Sequence, residues 1–349
     1  MLNTLFVAAI AALLSGLLYW GFKTLPAERW QMIAAVPTAK TAEGAWRGIN
    51  LTFYGFFSAT GMTFGIALAI LLISSMRMPL TVAFVLVAAT VALCLPASRL
   101  VAAIVERKPN TFTIAGAAFV ASLIVPPAVW FGERVLHSWT QVNIFALPLL
   151  AAAAIAYAMA EAIGRLACIS FGCCYGMPLR QAPSWLARLF HRHNLVLHGH
   201  TKKAAYASGL DEEPLLPVQA VTSIVFALAG FAGLILFLAQ QWRWAMIVPV
   251  IGTWGWRALA ENLRADHRGH SRTSAYQVMS VIGLSYLIVA ALVIPAEGPA
   301  PDLALGLSQV SSTTVVVLLQ LFWVLMFIYY GRSRVTGSTV SFHVNEKAI

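Results

Sequence analysis

Gly164-Arg165-Leu166-Ala167-Cys168-Ile169-Ser170-Phe171-Gly172-Cys173-Cys174-Tyr175-Gly176 closes an apolar run that begins near position 142. The run is as long as a bilayer crossing requires, about twenty residues. A hydrophobic helix that ends in one arginine can snorkel that charge to the interface. An arginine followed by a glycine-framed turn and adjacent cysteines does more. It gathers backbone, positive charge and thiols at one point, where a ligand can be held.

The rest of the chain is a membrane scaffold for that point. Of 349 residues, 60% are hydrophobic and 10% charged, against roughly 25% charged in soluble domains. Nine stretches are long and apolar enough to cross a bilayer: 2–22, 49–75, 79–105, 112–132, 142–169, 217–240, 244–262, 275–295 and 311–330. Lipid admits only helices or closed barrels, because every backbone polar group needs an internal partner. Apolar runs without period-two alternation select helices. The expectation is an all-α polytopic membrane protein of about nine transmembrane helices.

The net charge of +10 does not point to nucleic acid. The basic residues sit at membrane edges, beside anionic headgroups, and no nucleic-acid recognition pattern accompanies them. The first segment lacks a basic n-region and runs directly into Lys23, which reads as an uncleaved anchor. The connector from 23 to about 48 suits a segment lying along the headgroups. The four cysteines, 94, 168, 173 and 174, do not form a disulfide framework in a chain of this kind.

Several polar residues stand out within the apolar runs. Tyr54, at the edge of the second run, is an aromatic-belt residue or a cavity residue. Arg99 lies about two turns inside the third, where an ionisable group is a functional candidate; snorkelling toward Glu106 is the rival reading. Glu161 precedes Arg165 by one helical turn, so the two can pair. Arg257, Glu261 and Arg264 fall at i, i+4 and i+7, one stripe of the seventh helix. Two arginines bridged by one glutamate retain positive charge, and a guanidinium fork matches phosphate oxygens. The bland alternative is a helix end held by ion pairs.

Residues 178–216 form the longest polar insertion, expected to be a lid, a cap or disordered. Its His191, His193, His198 and His200 could ligate a metal, but without supporting ligands a solvated basic loop is the preferred reading. Cys173 and Cys174 are either small packing residues or a nucleophile whose thiol an arginine activates. A thiol redox pair is a weaker third reading. No metal or cofactor is assigned.

These pieces resemble the prolipoprotein diacylglyceryl transferase family. Gly164-Arg165-Leu166 with Gly172 and Gly176 is similar to the family's Gly-Arg-(hydrophobic)-Gly-Asn…Gly-Glu-Leu-(aromatic)-Gly signature. Arg257, Glu261 and Arg264 match its Arg-x3-Glu-x2-Arg helix end. Phe53-Tyr54-Gly55, Ser98-Arg99-Leu100, Pro217-x-Gln219 and Gln277 are weaker matches. The resemblance implies a seven-helix core over 49–295 carrying the cap 178–216. The first helix with its connector (1–48) and the last helix with its tail (296–349) are additions.

The resemblance implies transfer of a diacylglyceryl group from phosphatidylglycerol to a lipoprotein cysteine, with release of glycerol phosphate. Arg165 and Arg257 would hold the donor phosphate, supported by Glu261 and Arg264, with Tyr54 lining the cavity. The chain departs from the family at its aromatic-His-Gly-Gly motif, where it reads Thr111-Phe112-Thr113-Ile114-Ala115-Gly116. Cys168 and Cys173 replace an asparagine and an acidic residue, and Val221 and Thr222 replace a tyrosine and a glutamate. A diverged protein or small-molecule acceptor, or a non-catalytic phospholipid-binding or transport protein, are therefore the competing expectations.

The implied location is the bacterial inner membrane, with the arginine face toward the periplasm. Charge bias points the other way. All but Arg77, Arg134 and Arg243 of the 23 Lys and Arg residues fall on that face, which the positive-inside rule assigns to the cytoplasm.

Overall fold

A computed structural model describes residues 1–106, 113–140, 143–266 and 273–349. α1 (Leu2–Thr24) leads into a hairpin of β1 (Met32–Lys40) and β2 (Trp46–Thr52). Four long helices follow: α2 (Phe53–Ser75), α3 (Leu80–Glu106), α4 (Ile114–Thr140) and α5 (Ala146–Phe171). A folded insertion then contains α6 (Ser184–Phe190), β3 (Leu195–Val196), α7 (Lys203–Ser208) and β4 (Pro214–Leu215). After α8 (Val218–Leu238) comes an interrupted rod made of α9 (Trp242–Val250), a π segment, α10 (Trp256–Ala260) and a 3-10 turn. The chain continues through α11 (Ala275–Val293), α12 (Leu303–Val310), α13 (Thr313–Gly331) and β5 (Arg332–Val340).

Eight helices among the described residues are long and apolar enough to cross a membrane. The expected ninth, over 244–262, is broken at Ile251–Gly255 by a π segment. Pro249 removes one backbone donor there, and the Thr253 hydroxyl bonds the Pro249 carbonyl at 2.7 Å. The rod still runs back along α8. Trp242 packs edge-on against Phe237 at the far end of α8, and at the rod's other end Met177 donates to the Leu263 carbonyl at 2.9 Å and accepts from Leu216, beside the start of α8.

α5 is the axis of the bundle. It packs against α2 and α8 and is buried along most of its length. Gly61 and Gly65 on α2 make the close approach possible. A Cβ at Gly61 would lie 2.6 Å from the Ala160 carbonyl oxygen, and one at Gly65 2.7 Å from the Ala160 Cβ. Small residues four apart allow helices to approach closely where no water drives them together.

The chain is mostly helical, as expected, and one small sheet accompanies the bundle. The connector after α1 folds into β1 and β2, and β5 adds antiparallel to β2. Thr52 ends the sheet and starts α2. Its hydroxyl accepts from the Gly55 amide and donates to the Gly331 carbonyl. In the segment after 296, α13 packs on α2 and β5 completes the sheet.

The 178–216 insertion is a folded cap. Lys202, fully buried, donates to the carbonyls of Leu25 at 3.0 Å and Ser170 at 3.1 Å. It thereby ties the cap to the ends of α1 and α5. Gln31 and Thr201 add a reciprocal pair, Gln31 Nε2 to the Thr201 carbonyl at 2.9 Å and the Thr201 hydroxyl to Gln31 Oε1 at 2.7 Å. Burial lowers the Lys202 ammonium from its ordinary 10.5 to about 8. The unfolded chain therefore binds more protons than the folded one between these values, and stability rises with pH across that window. Thermal unfolding in detergent should show a midpoint that climbs from pH 8 to above pH 10 in the wild type, and Lys202→Met should flatten that climb.

Candidate functional site

The glycine-framed turn that closes α5 sits beside the end of the broken rod. Gly172, at φ 73°, ends the helix. The Gly172 amide donates to the Ile169 carbonyl and the Cys173 amide to the Cys168 carbonyl, the paired bonds of a Schellman closure. A side chain at Gly172 would also meet Lys202 Cβ at 2.8 Å. Gly176 forms an antiparallel bridge with Arg264, and the Ala265 amide bonds the Tyr175 carbonyl at 3.1 Å. The arginine motif of α5 and the arginine-bearing end of the rod are thus joined through their backbones.

Between them opens a cavity of about 730 Å³. Its walls come from the start of α2, the end of α3, the start of α4, α5, the cysteine turn, α7, α8, α10 and the α13–β5 junction. At its base one carboxylate holds two guanidinium groups. Glu161 Oε2 accepts from Arg165 at 2.5 Å and from Arg257 at 2.6 Å. Glu161 and Arg257 are each only 8% exposed. Both guanidiniums lie against the Phe226 ring, at 5.7 and 5.8 Å, and Arg257 also faces Tyr157 and Trp254. Among the described residues, Arg257 Nε is buried without a hydrogen-bond partner.

The bridging glutamate is therefore Glu161. The sequence spacing points instead to Glu261 between Arg257 and Arg264, and the helix break explains the difference. The α-helix stops at Ala260, Glu261–Leu263 form a 3-10 turn, and Arg264 leaves in an extended conformation. Arg264 then turns to Asp266, making bonds of 2.7 Å from Nε and from its terminal nitrogen. Glu261 approaches Arg264 at 3.5 Å and accepts from the Ser274 hydroxyl.

The other expected residues divide. Tyr54, Arg99, Arg165, Cys173, Cys174, Gln219, Arg257, Glu261 and Arg264 all line the cavity. Tyr54 packs edge-on against Phe171. Arg99 lies 5.3 Å over the Tyr329 ring; the Glu106 side chain and residues 107–112, including Thr111 and Phe112, are outside the described residues. Gln219 is 1% exposed; its Nε2 bonds the Cys173 carbonyl at 3.0 Å, and its Oε1 has no partner among the described residues. Gln277 does not line the cavity. It completes the capping box of α11 with Ser274 and bonds Ala258 and Asn262. Gly172 and Gly176 shape the turn behind the lining.

Hydrogen bonding with Cys168 and Cys174, together with burial, holds the Cys173 thiol well above the ordinary range. The histidines of the cap do not converge. His198 approaches Glu212 and His200 approaches Glu28, both at the exposed surface.

Lys203 and Tyr206 of the cap and Arg332 and Arg334 of β5 also line the cavity, and sequence reasoning missed them. Two arginines just beyond an apolar helix read as ordinary interfacial anchors, and nothing local signals that β5 turns them back to the site. Asp266, two residues beyond the Arg-x3-Glu-x2-Arg stripe, escaped for the same reason.

A bundle of apolar helices around a cationic cavity defines a multi-pass membrane protein equipped to handle an anionic, lipid-borne group. Residues 45–294 match the family of prolipoprotein diacylglyceryl transferases, and the chain belongs to that family. Its class is that of a membrane transferase. A search of curated proteins returns no match to the chain.

Removing Glu161 should leave two buried guanidiniums without their shared counter-charge. Breaking a buried pair this way costs about 3–5 kcal/mol. Glu161→Gln should unfold at a lower temperature in detergent, and millimolar inorganic phosphate should recover more of that loss than it adds to the wild type.

Proposed function

We propose that the chain binds phosphatidylglycerol through Arg165 and Arg257 and transfers its diacylglyceryl group to an acceptor thiol, releasing glycerol phosphate. The observation that carries this reading is the Arg165–Glu161–Arg257 group, two cations sharing one carboxylate in the cavity lining. That group retains one net positive charge, which suits the single negative charge of a phosphodiester.

The chemistry asks more of the site as the reaction proceeds. The acceptor sulfur forms a bond to the glycerol carbon, the carbon–oxygen bond to phosphate breaks, and the electron pair remains on the phosphate oxygen. The thiol proton is lost, and the leaving phosphomonoester carries more negative charge than the diester. Preorganised cations favour that product-like charge over the ground state. Lys203, Arg99, Arg332 and Arg334 add to the positive field: seven Lys and Arg side chains line the cavity against three carboxylates.

Arg257→Ala and Arg165→Ala should each lower glycerol phosphate release from labelled phosphatidylglycerol by roughly a hundredfold or more, the effect of losing a preorganised donor. Arg257→Lys should recover little, because an ammonium cannot reproduce the fork.

The second reading, a phospholipid-binding or transport protein, draws on the absence of histidine at Thr113–Gly116. Tight binding of phosphatidylglycerol without glycerol phosphate in any membrane extract would establish it over the first.

In the transferase reading the cavity and cap face away from the cytoplasm. Trp185 is exposed on the cap. A cysteine introduced by Trp185→Cys should be labelled by a membrane-impermeant thiol reagent in intact cells; labelling only in inverted vesicles reverses the orientation.

A further inference from the structure

We propose that Cys168, Cys173 and Cys174 form a site for a thiophilic d10 metal ion, zinc in the first instance, with one coordination position open to the cavity. The three Sγ atoms lie within 4.8 Å of one another. Zinc–thiolate bonds of about 2.3 Å place the sulfurs of one coordination sphere about 4 Å apart. Small side-chain rotations would close the cluster on an ion. Among the described residues, no other three ligand atoms of His, Cys, Asp or Glu come this near.

The backbone holds the cluster in place. The Schellman closure at the end of α5 ties Cys173 to Cys168. Left-handed conformations at Gly172 (φ 73°) and Cys174 (φ 57°) fold the turn back on itself. All three cysteines also line the cavity. An ion would therefore be held by protein on one side and open on the other, the three-ligand pattern of catalytic zinc rather than the closed four-ligand pattern of structural zinc. Three thiolates and Zn²⁺ carry one net negative charge, which Arg165 and Lys203 in the same lining offset.

The open position would receive the acceptor thiol. This role, unlike the site itself, rests on the transfer reading above. A thiol that coordinates the ion releases its proton to solvent and is presented as a thiolate. Its sulfur then bonds to the donor's glycerol carbon as the carbon–oxygen bond breaks and the pair stays with phosphate. The ion would supply the thiol activation for which Thr113–Gly116 carries no imidazole.

The test uses the full-length protein in detergent, kept reduced. Titration with Co²⁺, a spectroscopic stand-in for Zn²⁺, should give a thiolate-to-cobalt charge-transfer band and tetrahedral d–d bands. Equilibration with Zn²⁺ should leave about one ion per chain. Both should be lost in Cys173→Ser and in Cys168→Ser, and both kept in Cys94→Ser, whose thiol lies on α3 and points to the Ala117 carbonyl. Absence of the charge-transfer band in wild-type protein with all its thiols reduced overturns the proposal, and that result needs no variant to fold. A band that survives in both serine variants also overturns it.

Zinc-stripped protein should release glycerol phosphate roughly a hundredfold more slowly than zinc-loaded protein, the scale of losing a general base; equal rates overturn the acceptor role. A cobalt band with no transfer in either preparation upholds the metal site and sinks the transfer reading. Transfer without a band does the reverse.

Discussion

A single carboxylate clamped between two guanidiniums governs the rest of this structure. Three ionised groups inside an apolar bundle are costly unless they satisfy one another. Glu161 and Arg165 sit on α5, while Arg257 comes from a rod distant in the chain. The bundle must therefore bring that rod against α5 at one depth. The close glycine contacts between α2 and α5 set the axis. The π segment of the rod adjusts its final turn so that Arg257 faces inward. A π segment in an otherwise apolar helix often accompanies a functional group that a straight helix would misdirect.

The surroundings are built so that the clamp stays open to one side. The cysteine turn, bonded to the rod through Gly176 and Arg264, forms one rim. The cap forms another, held down by a lysine whose charge sits almost wholly inside protein. Arg264, by contrast, is satisfied by Asp266 and Glu261. Of the arginines in the rod's stripe, Arg257 shares the Glu161 carboxylate with Arg165, whereas Arg264 meets two carboxylates of its own end of the rod and braces the wall.

Much of this is legible in the sequence, for identifiable reasons. Apolar runs of bilayer length declare themselves, and ionisable residues inside them attract attention because lipid penalises them so heavily. Arg165, Arg257 and the turn at Gly172 are visible on those grounds. What escapes is whatever depends on pairing across long distances. β1 carries no clean alternation because it is exposed along nearly its whole length, and β5, the second partner of β2, lies nearly the whole chain away. Glu161 is visible as a neighbour of Arg165, but its second arginine is set by packing alone. The break in the rod is written only as Pro249 and two glycines, which membrane helices often carry without interruption. Cys168 looks like one more small residue on α5 until the turn folds Cys173 and Cys174 back beside it.

β5 has a further consequence for how the molecule is made. It follows every other wall of the cavity in the chain, yet it carries Arg332 and Arg334 into the lining and pairs with a strand that left the ribosome long before. During synthesis, β2 waits with an unpaired edge while α2 to α13 are threaded into the bilayer. The last wall of the cavity can therefore form only after β5 has emerged and paired with β2.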